Sequence, residues 1–380
     1  MVRIAIASPG RFHVLDLARE LHSLGHEVRF YSYVPGFRSK RFGLPEACGR
    51  SIFWWGAPLL ALNRVLGFLG LGAPLNSVQR AWCDWVTSTR LEPCDVMIAM
   101  SGCFSLSIAK AKKRWNAVIL VERASRHINS QKEILDEVHA LHPGAATVPD
   151  VDVHRELRDY ALADRIVVPS RHVVESFVEN GVPRERLFRN PFGVDLSMFS
   201  PTPVPAGPPT VLMVGTWCYR KGCDLLVEAL RGLDFRLLHA GPLGDCPFPS
   251  GAGFETLGIL DQTKLKEVYA RGHIMALPSR EEGLAFVQAQ ALACGLGLVC
   301  SDRTGGDDLR EILEDPGLVT VVKTGDVGGL REGLRQAMRL AQSKKGLRDS
   351  SGASLEKLSW KAYGLRYDAF LRGLVPAKAL

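Results

Sequence analysis

Short apolar runs alternate with segments of helical periodicity along most of the chain. The first run, Val2 to Ala7, is apolar at almost every position, as expected of a strand buried on both faces of a parallel sheet. Apolar side chains then recur at helical spacing until Gly25, and 27–34 is the next strand candidate. This order of strand, helix and strand predicts an α/β protein. Further strand candidates are 95–101, 116–122, 164–170, 210–216, 235–241, 254–260, 273–277, 298–301 and 319–322.

A stretch rich in proline, 201–209, lacks periodicity and separates two such series of strands. We interpret it as a linker between two Rossmann-like, doubly wound domains, each of which would bind ligands at the carboxyl edge of its sheet. Two such edges in tandem predict a cleft between the domains. After the second series, aromatic residues share one face of a predicted final helix and are expected to pack. They are Trp360, Tyr363, Tyr367 and Phe370.

Residues 36–75 do not continue the alternation of predicted strands and helices. Basic residues are followed by an apolar, tryptophan-containing run over 52–71. Arg64 in mid-run and the helix breaker Pro58 argue against a bilayer-spanning helix. One or two helices that lie on an anionic membrane, anchored by aromatic side chains, are the preferred interpretation. Buried core helices are the alternative.

Composition narrows the class of partner. The formal net charge is +7, which favours anionic partners such as a phosphorylated ligand or an acidic membrane surface. Nucleic acid is not expected, because the basic residues are scattered. The nine cysteines are irregularly spaced and predict buried, reduced thiols in a cytoplasmic protein. The first residues form a strand candidate, so no signal peptide is expected.

One stretch, 277–295, combines a strand end, the carboxylates of Glu281 and Glu282, Gly283 and a helix. A helix N-terminus binds phosphates, and a nearby glutamate accepts hydrogen bonds from sugar hydroxyls. An ordinary strand–turn–helix with solvated glutamates is the alternative. His127 follows another predicted strand, where a surface loop histidine is equally compatible with the pattern.

Several motifs resemble those of retaining glycosyltransferases with the GT-B fold, of the family-four or group 1 type. The central stretch is similar to their Pro-Ser-x-x-Glu-Gly signature. The other matching stretches are 167–171, 190–199, 215–222 and 305–306. The resemblance implies that the final helix crosses back to the N-terminal domain. The implied domains are 1–190 for the acceptor, 191–355 for the nucleotide sugar, and 356–380 for the returning helix.

The implied activity is transfer of a hexose or related sugar from a nucleotide-diphosphate sugar, with retention at the anomeric carbon. The acceptor would be a polysaccharide, a lipid-linked glycan or a small molecule, and neither a metal nor another cofactor is expected. A nucleotide-sugar epimerase and a catalytically weak sugar-nucleotide-binding relative remain alternatives. A two-domain solute-binding protein would normally need an export signal.

The resemblance also assigns site residues. Glu282 would contact the donor sugar, and Lys221 would hold the diphosphate. Thr216 stands where the family has an arginine, so Arg220 is a candidate for the second charge. Gln290 stands where a second glutamate would receive the ribose hydroxyls, and a glutamine carbonyl can still accept those bonds. The other residues implied near the donor are Gly10, His127, Gly215, Gly283, Leu284 and Ala285.

Overall fold

The first part of the chain folds into a seven-stranded parallel sheet in the order β3-β2-β1-β4-β5-β6-β7. The computed structural model describes residues 1–68, 73–313, 316–343, 346, 348 and 355–374. The strands are β1 (Arg3–Ser8), β2 (Glu27–Ser32), β3 (Gly49–Ser51), β4 (Val96–Met100), β5 (Val118–Glu122), β6 (Arg165–Val168) and β7 (Leu187–Arg189). The helices are α1 (Phe12–Ser23), α2 (Gly36–Arg41), α3 (Phe53–Phe68), α4 (Ala73–Arg90), α5 (Ser105–Trp115), α6 (Ile128–Leu141), α7 (Asp150–Leu162) and α8 (Arg171–Glu179).

The second part forms a six-stranded parallel sheet in the order β10-β9-β8-β11-β12-β13. Its strands are β8 (Thr210–Val214), β9 (Arg236–Ala240), β10 (Phe254–Thr256), β11 (Ile274–Leu277), β12 (Gly297–Ser301) and β13 (Val319–Val322). Its helices are α9 (Cys223–Leu230), α10 (Leu265–Arg271), α11 (Phe286–Ala293), α12 (Gly306–Ile312) and α13 (Val327–Ser343). The predicted boundary at 190/191 falls in the connection between β7 and β8.

Strand order reverses once in each sheet, beside β1 in the first and beside β8 in the second. Open α/β sheets bind ligands in the crevice outside the carboxyl ends of strands at such a reversal. The central strands β4 and β11 are buried at every position, which explains their uninterrupted apolar sequences. The predicted α/β architecture with two doubly wound sheets is confirmed.

Every strand predicted from the sequence is present, in most cases shorter at one or both ends. Two strands were not predicted, β3 and β7. Each has three residues, lies at an edge of the first sheet and is not fully buried. Such strands carry no run of apolar residues, and their backbone pairing is set by neighbours distant in sequence.

The apolar run over 52–71 is helical over Phe53–Phe68, as predicted, but the expected break at Pro58 was wrong. Helix α3 continues through Pro58, whose missing N–H removes one hydrogen bond close to the start of the helix. Helix α3 packs against α4. Within the part of the chain that the structure covers, none of the helices has the length and apolarity needed to cross a bilayer. Residues 69–72 lie outside the described residues.

The final helix, α14 (Trp360–Leu374), returns to the first sheet and packs on α1. Tyr367 Oη donates to Glu122 Oε1 at the end of β5 over 2.7 Å. Phe370 stacks on Phe188 of β7 with 3.8 Å between ring centroids. The packing role predicted for this aromatic face is therefore confirmed, although residues 375–380 lie outside the described residues.

All nine cysteines are free, and eight of them are buried. The predicted buried thiols are therefore present.

We expect Tyr367→Phe to destabilise the fold by about 1–3 kcal/mol, because it leaves one oxygen of the buried Glu122 carboxylate without that donor. Tyr363→Phe is the matched control, since the buried Tyr363 hydroxyl has no hydrogen-bond partner among the described residues. Urea denaturation of both variants tests this. Equal losses of stability would contradict the assigned role of the Tyr367–Glu122 bond.

Candidate active site

The turn 219–221 and the loop after β11 are held together by backbone contacts. Gly222 has a φ of +68°, and a Cβ at this position would lie 2.1 Å from the carbonyl oxygen of Pro278. Only glycine fits this close approach. The N–H of Arg280 donates to the carbonyl of Arg220 over 2.9 Å, and the Arg280 guanidinium binds the Asp224 carboxylate with two bonds of 2.6 Å. These contacts fix the position of Lys221.

Four charged side chains meet where the turn and the loop touch, and we call them the charge cluster: Arg220, Lys221, Glu281 and Glu282. Lys221 Nζ donates to the Glu282 carboxylate. Arg220 Nη1 lies 3.1 Å from Glu281 Oε2 and 4.0 Å from Glu282 Oε1. The Glu281 side chain is fully buried, and those of Lys221 and Glu282 are 10% and 14% exposed. These three groups are largely shielded from water, so their charges act strongly on one another.

The charges of the cluster determine its protonation. Burial would raise the pKa of Glu282, but the charges of Lys221 and Arg220 outweigh it and hold that pKa below its ordinary value. Burial opposes the charge of Arg220, yet Glu282 and Glu281 raise its pKa. Glu282 and Arg220 are therefore ionised at neutral pH.

The first domain contacts this cluster through the loop after β5 and the start of α6. Ser125 Oγ donates to Glu281, and Gln131 Nε2 donates to Glu281 Oε2 over 3.1 Å. A Cβ at Gly283 would lie 1.9 Å from the carbonyl oxygen of Ala124, so glycine is required for the two backbones to touch. Both domains thus contribute to the site.

Two residues after β6 also reach the Glu282–Gly283 backbone. Ser170 Oγ donates to the Gly283 carbonyl over 2.9 Å. His172 Nε2 lies 2.9 Å from the Glu282 carbonyl. The loop that carries Glu282 is therefore positioned from the opposite domain.

Helix α11 begins at Phe286, so Leu284 and Ala285 precede it. The N–H of Ala285 donates to Gln288 Oε1 over 3.2 Å, and Gln288 Nε2 in turn donates to Thr304. The Ala285 amide expected to face a phosphate is therefore already hydrogen-bonded to a side chain.

A cleft of about 930 Å³ opens between the domains beside this helix. Its walls are formed by the loop after β1, by α2, by 193–199, by 260–265 and by the start of α11. This volume suits a ligand of nucleotide-sugar size. Gln290 lines the cleft, and its carbonyl accepts a hydrogen bond from Tyr269 Oη over 3.0 Å.

The structure brings together Lys221, Arg220 and Glu282 and places Gly215 beside the Lys221 side chain. Thr216 is exposed next to them. The Gly10 carbonyl accepts a bond of 2.8 Å from Ser8 Oγ, so the loop after β1 is held at the sheet edge.

His127 does not join the charge cluster. It is only 2% exposed, with its ring against Tyr160 and Phe177 at centroid distances of 5.3 Å and 4.9 Å. Its Nδ1 accepts from the N–H of Asn129 and caps α6. Burial, assisted by the charge of Arg123, lowers the pKa of His127 to about 4, so the ring is neutral at neutral pH.

Sequence reasoning missed the contributions of Glu281, Ser125 and His172. The position of Glu281 directly before Glu282 suggests that it lies near the site, but no sequence pattern indicates that it is the more buried of the two. Ser125 and His172 are more than 100 residues away in sequence from the groups they contact, so only the domain arrangement reveals their role.

Solved structures with the GT-B glycosyltransferase architecture resemble this fold along almost all of the chain. Sucrose-phosphate synthase from Thermosynechococcus elongatus superposes with a TM-score of 0.67 at 17% identity, covering 98% of this chain and 99% of that one. Anabaena HepE in complex with UDP-glucose gives a TM-score of 0.61 at 12% identity, with coverages of 98% and 100%. The fold and the cleft thus define a two-domain protein of the GT-B class.

The family is shown by sequence. Residues 10–193 match the model of the glycosyl transferase 4-like domain, and residues 208–339 match that of glycosyl transferases group 1. The chain therefore belongs to the group 1 glycosyltransferases of the family-four type, as the motifs had indicated.

Two curated relatives are similar over part of the chain. One is D-inositol 3-phosphate glycosyltransferase of Xylanimonas cellulosilytica, 29% identical over 46% of this chain and 51% of the relative. The other is a subunit of the phosphatidylinositol N-acetylglucosaminyltransferase of Arabidopsis thaliana, 28% identical over 47% of this chain and 42% of the relative. The matched region spans about half the length of these relatives.

We expect the free energy of unfolding of the His127→Asn variant to depend less on pH below neutrality than that of the wild type. The folded pKa lies near 4 and the unfolded value near 6.5, so the unfolded state takes up the proton first and stability falls as the pH drops through this window. Between about pH 7.5 and about pH 5 the wild type should lose about 2 kcal/mol more than the variant. Asparagine retains an acceptor for the cap.

Urea denaturation at several pH values measures this difference. Because both proteins contain every other titrating group, parallel profiles would show that the buried His127 ring is not the cause.

Proposed function

We propose that this protein transfers a sugar from a nucleotide-diphosphate sugar to a hydroxyl of an acceptor, with retention at the anomeric carbon. The observation that carries the proposal is the Lys221–Glu282 pair, buried where the two domains touch and beside a cleft of nucleotide-sugar size. A cation for a diphosphate and a carboxylate for sugar hydroxyls are the two recognition elements that such a donor requires.

The relatives support this donor class. HepE is described in complex with UDP, with UDP and glucose, and with UDP-glucose. The names of the two curated relatives specify a glycosyltransferase and an N-acetylglucosaminyltransferase. Their names also specify acceptors that carry a phosphate, D-inositol 3-phosphate and phosphatidylinositol.

In the proposed reaction, the bond from the anomeric carbon to the diphosphate oxygen breaks and a bond to the acceptor oxygen forms on the same face. The acceptor proton passes to the departing diphosphate. Lys221 would release Glu282 and stabilise the charge that develops on the diphosphate, assisted by the Leu284 amide. Glu282 would then accept from the sugar hydroxyls and orient the ring.

Arg220 has a secondary role in this proposal. Its partner Glu281 is held by Ser125 and Gln131 of the first domain. Arg220 therefore keeps the loop in place and adds positive potential, but it is not free to move onto the donor as Lys221 is. The proposal assigns no reacting group to the buried His127.

Gln290 is proposed to receive the ribose. Its carbonyl oxygen has two lone pairs, and Tyr269 occupies one of them. The second remains for a ribose hydroxyl at the cleft wall. No metal is part of the proposal, because Lys221 and the Leu284 amide supply the positive charge.

Glu282→Gln should lower sugar transfer or donor hydrolysis by about 100-fold or more, since it removes the charge that orients the donor sugar. Release of nucleoside diphosphate from a panel of UDP-, GDP- and ADP-sugars measures this, after a thermal-shift screen has identified the nucleotide that binds. An active, folded variant would contradict the role of Glu282.

Removing one partner of a buried pair leaves the other charge unpaired and destabilises the protein. The double variant Lys221→Met with Glu282→Gln removes both charges and should regain stability while staying inactive. Glu255→Gln, in an exposed ion pair with Arg271, is the control that should keep full activity.

An isomerised nucleotide sugar without release of the diphosphate would instead indicate an epimerase, and binding without any product would indicate a catalytically weak relative.

We further propose that the protein docks on an anionic membrane through an aromatic surface on α3 and α4. This surface comprises Trp54, Trp55, Trp82 and Trp85, which are 83%, 54%, 38% and 49% exposed. Arg64 and Arg90 are exposed on the same helices. The one carboxylate of these helices, Asp84, is buried and accepts from the N–H groups of Leu106 and Ser107. Indole rings beside exposed cations suit an anionic lipid interface.

With nine free thiols, a reducing compartment is the natural environment. The proposal therefore places the protein at the cytoplasmic face of the membrane.

Trp54→Ser with Trp55→Ser should weaken binding to anionic vesicles by about 10-fold or more, because two large rings no longer enter the interface. Co-sedimentation with phosphatidylcholine vesicles, with and without phosphatidylglycerol, measures the change. Leu141→Ser with Ile259→Ser removes two exposed apolar side chains elsewhere and should bind like the wild type. Unchanged sedimentation of the tryptophan variant would contradict the docking surface.

A further inference from the structure

The wall of the cleft that belongs to the first domain is strongly basic. Arg11 at the start of α1, Arg19 within α1, and Arg38 and Arg41 on α2 all line it. The opposite wall carries apolar side chains such as Leu260 and Val287, the amide of Gln290, and the carboxylates of Asp195 and Asp261. The guanidinium groups are therefore concentrated on the first-domain wall, across the cleft from the proposed ribose position.

These arginines are not equally neutralised. Arg19 is paired with Asp16 and Glu20 at 2.8 Å each. Arg11 donates to the neutral amide oxygen of Gln262 over 2.7 Å and lies 3.5 Å from the centre of the Phe42 ring. Among the residues that the structure describes, no carboxylate lies within ion-pair distance of Arg38 or Arg41. In that part of the chain, three of the four guanidinium groups thus lack a paired anion.

Neighbouring charges of both signs act on Arg11. Burial lowers its pKa, the carboxylates of Asp16 and Asp195 oppose the effect, and the charges of Arg19 and Arg38 lower the pKa further. A wall on which cations repel one another inside a partly enclosed cleft gains free energy when an anion binds.

The donor diphosphate does not account for this wall, because the proposed reaction assigns it to Lys221, which is not part of the wall. We propose that Arg11, Arg38 and Arg41 form a subsite for a phosphate group of the acceptor. The inference rests on the proposed transferase function and narrows its acceptor to a phosphate-bearing molecule. Planar guanidinium groups bind phosphate oxygens in pairs, which gives such a subsite geometric selectivity over neutral acceptors.

The test is a titration of inorganic phosphate into the protein saturated with UDP, or with whichever nucleoside diphosphate binds. The wild type should still bind phosphate. Arg38→Gln with Arg41→Gln should weaken phosphate binding by about 10-fold or more, while nucleotide affinity stays within about two-fold. Lys113→Gln with Arg114→Gln removes two exposed positive charges from the end of α5 and is the matched control that should leave phosphate binding unchanged.

Three outcomes would overturn the subsite: no phosphate binding to the nucleotide-bound wild type, equal phosphate binding by the α2 variant, or an equal loss of nucleotide and phosphate affinity, which would assign the arginines to the donor. If no nucleotide binds at all, the transferase proposal fails, and the same titration on the free protein still decides whether α2 binds phosphate.

Binding of glycerol 3-phosphate and co-sedimentation with phosphatidic acid vesicles, each compared between the wild type and the α2 variant, identify the source of the phosphate. Loss of glycerol 3-phosphate binding in the α2 variant would indicate a soluble acceptor, and weaker sedimentation with phosphatidic acid vesicles would indicate a lipid headgroup.

Discussion

The buried ion pair between Lys221 and Glu282 is the interaction on which the site depends. Two ions removed from water are unfavourable unless their geometry and their other hydrogen bonds compensate. Here the compensation comes from Arg220 and Glu281, and through Glu281 from Ser125 and Gln131 of the other domain. The protein therefore maintains a charged, partly dehydrated site by using both domains, and a ligand that replaces one partner of the pair enters a site whose remaining charges are already oriented.

Close backbone contact explains how the charge cluster of the second domain meets its partners from the first domain so accurately. Gly222 lets the turn that carries Lys221 touch the loop after β11, and Gly283 lets that loop touch the first domain. A methyl group at either position would force the two backbones apart and break the contact. Gly222 and Gly283 therefore set how close the Glu282 carboxylate lies to Lys221 on one side and to the first domain on the other.

The sequence predicted the fold well because buried parallel strands leave an uninterrupted apolar signal, as in β4 and β11, and because Gly25 and Pro201–Pro209 mark boundaries. It predicted Lys221 and Glu282 because both lie in local motifs. It could not place His127, since a histidine after a strand can point to a cleft or into a core, and only Tyr160 and Phe177 decide which. Nor could it reveal Ser125, His172 or the arginine wall, which form only when distant segments are brought together.

Helix α14 has a consequence for biosynthesis. Tyr363, Tyr367 and Leu371 are fully buried, with Tyr367 bonded to Glu122, so part of the core of the first domain is supplied by residues made after the entire second sheet. The N-terminal domain leaves the ribosome first, and the apolar groove along α1 stays exposed until α14 has been synthesised. Domains usually complete their folding in the order of synthesis. In this protein the N-terminal domain completes its folding last. Until α14 packs on α1, the exposed apolar groove is a surface to which a chaperone would bind.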